Sequence, residues 1–241
     1  MILYCKITEI KTQCLHTKVC IYIRQEDLHT KVCMKIDANR VILPQTIKNM
    51  EQSGGLSTVL RQRITDTKVA IIGNMAVELI AEAIKRLGFV DIVLASEYPE
   101  QPLCDVVICT CTEKNDCKAV IAYYRQIDIP VICAFNFGIG ACAVIIPPEK
   151  RLPHFVEDKA GNDTVRSMID YTSDYSKFWN IQNNEWIDDA RKWIASPEIK
   201  SSIGEYTMTA MVAHLLVAMI AGNKVKTYPK FYLSTIANDV N

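Results

Sequence analysis

Apolar residues gather into short, unbroken runs along the middle of the chain: KVAIIG at 68–73, DIVLASE at 91–97, CDVVICTC at 104–111 and PVICAF at 130–135. Runs of this length without alternation predict strands of a parallel sheet covered on both faces. Between the runs the apolar period changes to that of a helix. Leu79, Ile80, Ala83, Ile84 and Leu87 recur at helical spacing between Ala76 and Leu87, and Gly88 ends the pattern. A second helix is predicted from about Asn115 to Ile127, and a short helix or turn from Leu56 to Ile64 leads into the first strand. FGIGACAVIIPP then offers a glycine turn and a fifth strand that two prolines end. Strand and helix alternate, so the pattern predicts an α/β, Rossmann-like fold, a mainly parallel sheet with helices on both faces.

The two ends of the chain have a different texture. LHTKVC occurs at 15–20 and again at 28–33, each copy followed by an alternating piece, IYI or MKI, which predicts a hairpin joined through RQED. Residues 1–55 are read as a small N-terminal β-rich element ending at the linker QSGG, and residues 56–241 as the Rossmann-type domain with a C-terminal helix and strand. A metal site built from His16, Cys20, His29 and Cys33 is the functional alternative for the repeat, provided the hairpin register brings its two copies together. Beyond Pro148 the chain turns polar and aromatic, and IDDARKWIA reads as a short amphipathic helix. GEYTMTAMVAHLLVAMIAG (204–222) reads as a long apolar helix, in which His214 is expected to be a core or interface residue. KTYPKFYLSTIAN reads as a final strand.

Composition removes several classes of function. Lys plus Arg and Asp plus Glu are 27 each, so no global basic surface points to nucleic acid or an anionic membrane. The start MILYCKITEI breaks its apolar run with Lys6 and Glu9, unlike a signal peptide, and a cytoplasmic protein is expected. The chain has 10 cysteines but no C-x-x-C pair, so no structural zinc is expected and most of the thiols are read as packing residues. Cys109 and Cys111, at the C-terminal end of the third predicted strand, are nonetheless where open α/β sheets place their sites. A cysteine nucleophile there is an alternative, though no histidine partner is evident in the sequence.

The strand, turn and helix of KVAIIGNMAVELIAEAIKRLG opens as a nucleotide-binding βα unit does. Together with CDVVICTCTEKNDCKAVIAYYRQIDIPVI, FGIGACAVIIPP and the apolar helix ending in AG, it resembles the ThiF/MoeB/HesA family, the ubiquitin-activating-enzyme-like adenylyltransferases. The likeness covers roughly residues 56–222 and rests on motif order more than on invariant residues. It implies ATP bound at the first βα turn with magnesium, and a carboxylate as substrate, on a peptide, a small protein C-terminus or a small-molecule acid. It also implies a homodimer or a pseudo-symmetric heterodimer.

Against the family turn G-x-G-G-x-G, this chain reads GNMAVE at 73–78, with Met75, Ala76 and Glu78 in three of the glycine places. The nucleotide contacts implied by the resemblance fall on Gly73, Asn74, Met75, Ser96, Glu97, Thr110 and Thr112. Glu97, or Ser96 beside it, takes the ribose position. Thr112 stands where the family has a magnesium-binding aspartate, and Glu113 next door is the candidate metal ligand, with Asp116 as a second acid. The family's phosphate-handling arginine has no counterpart after the second strand, so Arg61 and Arg63 from the preceding segment are the candidate cations. Glycine-poor relatives of this kind point to a second function, a catalytically inactive partner subunit that binds a peptide or companion enzyme. An NAD-dependent Rossmann dehydrogenase is a third, and it too would want the missing glycines.

Overall fold

The computed structural model describes residues 18–25, 28–37, 40–42, 57–95, 103–157, 161–179, 185–196 and 202–235. The chain divides into two units, Met1–Thr58 and Val59–Asn241. In the first, β1 (Lys18–Gln25), β2 (Leu28–Asp37) and β3 (Arg40–Ile42) form an antiparallel sheet in the order β1-β2-β3. The expected hairpin is therefore present. Its register sets Cys20 opposite Cys33 but His29 opposite Arg24, and His16 lies outside the described residues. The register does not set the two copies of the repeat opposite each other residue for residue.

The second unit runs α1 (Thr58–Asp66), β4 (Lys68–Gly73), α2 (Val77–Arg86), β5 (Asp91–Ala95), β6 (Val106–Thr110), α3 (Lys114–Gln126), β7 (Val131–Asn136) and β8 (Gly140–Ile146). It continues with α4 (His154–Glu157), α5 (Thr164–Phe178), α6 (Glu185–Ala195), α7 (Ser202–Ile220) and β9 (Tyr232–Thr235). Six strands form one sheet in the order β5-β4-β6-β7-β8-β9. The first four are parallel, as the unbroken apolar runs predict, and this is a Rossmann-like α/β fold.

Two features depart from the expected pattern. β8 pairs antiparallel with β7, and β9 antiparallel with β8. The turn from Phe137 to Ile139 is too short for a crossover, which needs a dozen or more residues, so the chain must reverse. Phe137 N–H donates to Gly140 O at 2.9 Å to close that turn. β5 is the second departure: as the edge strand it leaves Val93 and Leu94 exposed instead of covered.

Strand alternation sorts the core into two faces. Ala70, Ile72, Val107, Cys109, Val131, Cys133, Phe135, Cys142, Val144 and Ile146 belong to one buried cluster with side chains of α3, α4, α5 and α6. The intervening residues, among them Ile71, Ile108, Ile132 and Ile145, are also fully buried, and α7 lies against β7, β8 and α2. In α2 the buried stripe is Val77, Ile80, Ala81 and Ile84, whereas Leu87, expected on that stripe, is exposed. Leu87 sits at the C-cap, where the helical period no longer holds it against the sheet. Helix α7 is long and apolar enough to cross a membrane by length and composition, yet Met208, Val212, Leu215 and Leu216 are buried in this unit. His214 is exposed, which corrects the core half of the expectation of a core or interface histidine.

Candidate functional site

From β4 the chain crosses through α2 to parallel β5 on one side and then passes back to β6 on the other, so the direction of strand addition reverses between β4 and β6. Open α/β sheets bind their ligands in the crevice outside the carboxyl ends of such a pair. Gly73 ends β4 and pairs in register with Thr110, the last residue of β6. A Cβ on Gly73 would overlap the Thr110 carbonyl carbon and lie 2.6 Å from both Cys111 N and Thr110 Oγ1. With φ at +140°, Gly73 is also in a backbone region that side chains disfavour, so the one glycine kept in the turn is required by its geometry.

The rest of the turn keeps a glycine-like shape without glycine. Ala76 caps α2 in the left-handed conformation, at φ 49° and ψ 29°, and its own side chain makes no capping hydrogen bond. An L-residue there costs about 1 kcal/mol. Substituting Ala76→Gly is therefore expected to raise stability by about 0.5–1 kcal/mol, measured as a higher urea midpoint at unchanged slope. Ile80 N–H closes the first helical bond, onto Ala76 O at 2.9 Å, which leaves the amides of Val77, Glu78 and Leu79 at the open end of the helix. Glu78 is exposed in that first turn. Met75 stands in a glycine place, but its half-buried side chain packs against the core cluster.

Across the crevice Asn74 and Thr112 bind each other. Asn74 Nδ2 donates to Thr112 Oγ1 at 2.8 Å and Thr112 N–H donates to Asn74 Oδ1 at 3.2 Å. Beneath them the Thr110 hydroxyl is fully buried with no hydrogen-bond partner among the described residues. Glu113, the candidate metal ligand, is exposed just before α3, and Asn162 Nδ2 donates to its Oε2 at 3.1 Å. Asp116 follows, half-exposed in the first turn of α3.

Asn162 was not marked by the spacing of motifs, because its contacts span almost 50 positions. Its backbone O accepts from Lys114 N at 2.8 Å and its Oδ1 from Asn115 N at 3.2 Å. Thr164 N donates to Thr112 O at 2.9 Å, while Asp163 caps α5 by accepting from Arg166 N at 3.1 Å. An Asp followed by an apolar-periodic TVRSMI was a readable N-cap signal. What it could not reveal is that this cap is stitched to the end of β6 and fixes the position of Glu113.

The remaining expected residues fall elsewhere. Ser96 and Glu97 lie outside the described residues. Arg63 is in the last turn of α1, where its backbone O accepts from the Thr67 hydroxyl at 2.6 Å, next to the start of β4. Six residues of strand, about 17 Å, separate that end from Gly73, which is further than an arginine reaches. Arg61, also on α1, is half-buried and has contacts of its own. Cys109 and Cys111 are buried, so neither is exposed as a nucleophile. The mutual interaction of their side chains pushes the Cys109 thiol well up and draws that of Cys111 down, while Cys111 Sγ is spent on Ile72 O at 3.7 Å.

No protein-family model matches the chain, and no curated protein is similar to it in sequence. Solved structures do resemble it. PaaA superposes with a TM-score of 0.50 at 10% identity, over 83% of this chain and 82% of that one. MccB of E. coli, solved with ATP, gives 0.45 at 13% identity over 85% and 74%, and MccB solved with MccA gives 0.47 at 13% over 80% and 71%. At such identities the likeness to PaaA bears on architecture alone.

Proposed function

We propose that this chain is a ThiF-like protein of a biosynthetic or modification pathway that binds ATP in the crevice between β4 and β6 and engages a carboxylate-bearing substrate there. The left-handed Ala76, which has no side-chain cap to offer the helix start, carries the reading. It gives the turn a left-handed residue of the kind glycine ordinarily supplies, although three of the four glycine places have changed, and it leaves three amides of α2 at the open end. The residues present fit a nucleotide in part. Amides of Val77 to Leu79 would hold a phosphate, Asn74 and Thr112 supply neutral polar partners, and Glu113, held through one oxygen by Asn162, would serve magnesium. ATP, when bound, supplies an adenylyl group to a carboxylate. The substrate class, whether peptide, small protein C-terminus or small-molecule acid, follows from the resemblance to the ThiF/MoeB/HesA family.

Isothermal titration of the full chain with ATP and magnesium tests this, a single saturable heat being the expected result. Glu78→Gln is expected to tighten ATP about fivefold, on the order of 1 kcal/mol, by removing a carboxylate from the phosphate end of α2. A flat trace with both proteins would overturn the reading.

Two observations favour a second reading, the inactive partner subunit. Asn74 and Thr112 already satisfy each other across the crevice, and Glu78 adds a carboxylate where a phosphate would come. On that reading no ATP heat appears, and a companion enzyme or peptide co-purifies with the chain.

A further inference from the structure

Three thiols from three different elements meet beneath the crevice. Cys109 lies on β6, Cys133 is its register partner on β7, and Cys117 comes from the first turn and a half of α3. Their sulfurs all lie within 4.8 Å of one another, with 3.7 Å between those of Cys109 and Cys117. Each is at most 1% exposed, inside the apolar cluster that contains Val107, Ile121 and Phe135. We propose that Cys109, Cys117 and Cys133 form a three-coordinate copper(I) site inside the fold.

Donor type, donor number and surroundings choose the ion. Three sulfurs and no oxygen exclude hard cations such as magnesium and calcium, which take oxygen ligands. Structural zinc takes four ligands, and among the described residues no fourth His, Cys, Asp or Glu atom lies within 4.8 Å of all three sulfurs. Cys111 interacts with Cys109 two positions along the strand but stands outside the triangle. The burial that makes the thiols poor nucleophiles also keeps water from completing a tetrahedron. A soft d¹⁰ monovalent ion accepts trigonal sulfur coordination, and metal–sulfur bonds of about 2.3 Å in a plane set the sulfurs about 4 Å apart, close to the spacing found.

The position offsets part of the charge that ligation creates. Copper(I) displaces the protons of its ligating thiols to the buffer, and the N-terminal dipole of α3 points its positive end at Cys117. Because the ligands come from β6, α3 and β7, the ion would tie together the three elements under Thr110 and Thr112.

The full chain, reduced and kept free of oxygen, is titrated with copper(I) buffered by the chromophoric chelator bathocuproine disulfonate. The triple variant Cys109→Ala, Cys117→Ala, Cys133→Ala is expected to withdraw one equivalent fewer than the parent, which separates this site from the thiols elsewhere in the chain. Cys133→Ala alone should weaken that equivalent by about a hundredfold, whereas Cys142→Ala should leave it in place. Both changes remove one sulfur from adjacent buried strands, so a loss caused by loosened packing would show in both. X-ray absorption of the loaded Cys142→Ala protein should report three sulfur neighbours. Equal uptake by parent and triple variant, an equal loss in the Cys133 and Cys142 variants, or a count of two or four sulfurs would overturn the site.

Discussion

Replacing Gly73 with alanine will lower folding stability by about 4 kcal/mol, the sum of backbone strain and forced overlap at a packed position. The new methyl would meet the main chain of Thr110 and Cys111 on the neighbouring strand, neither of which can swing aside as a side-chain tip can. Domains of this kind are stable by about 5–15 kcal/mol, so the loss is a large fraction of the total. Urea unfolding followed by circular dichroism measures it as a shift in midpoint. The same substitution separates β4 from β6 at their carboxyl ends and should abolish any ATP heat. An alanine variant as stable as the parent would show that the two strand ends do not touch as described.

Trp186→Ala is expected to cost about 3–5 kcal/mol. Trp186 is 1% exposed and stacks on Phe137, with ring centroids 5.7 Å apart and planes 6° from parallel. Phe137 belongs to the turn between β7 and β8, and a Cβ on the next residue, Gly138, would overlap the Trp193 ring. Two tryptophans of α6 thus close over one turn of the sheet. Removing one should lower the thermal midpoint and raise the protease sensitivity of α6 before the rest of the domain. A loss below about 1 kcal/mol would mean that α6 is not docked.

Much of this architecture could be read from periodicity. The unbroken runs at 68–73, 104–111 and 130–135 became β4, β6 and β7, and the helical spacings became α2 and α3. Direction could not be read for GACAVII, because a strand buried on both faces shows the same run whether it lies parallel or antiparallel. Only the shortness of the turn before it decides. In the crevice, Gly73 was legible from its place after an apolar strand. Ala76 was not, since an alanine in left-handed conformation leaves no mark in the sequence. Asn162 and the thiol triangle were hidden for another reason: they exist only once distant segments meet, and three cysteines inside apolar runs read as small hydrophobes until β6, α3 and β7 place their sulfurs together.

The reversal of the sheet at β8 bears on how the chain is made. β7 and β8 are joined by a short turn and can pair as soon as both have been synthesised, but β8 needs β9 on its other side, and β9 begins only at Tyr232. Throughout the intervening synthesis of α4 to α7, a seven-residue strand that is wholly buried in the finished protein presents an open hydrogen-bonding edge. Such an edge invites pairing with another nascent chain. Strand β9, YLST, is short and only partly buried, yet its arrival pairs Gly140 to Ala143 of that edge, so it acts as the guard of a strand translated some 90 residues earlier.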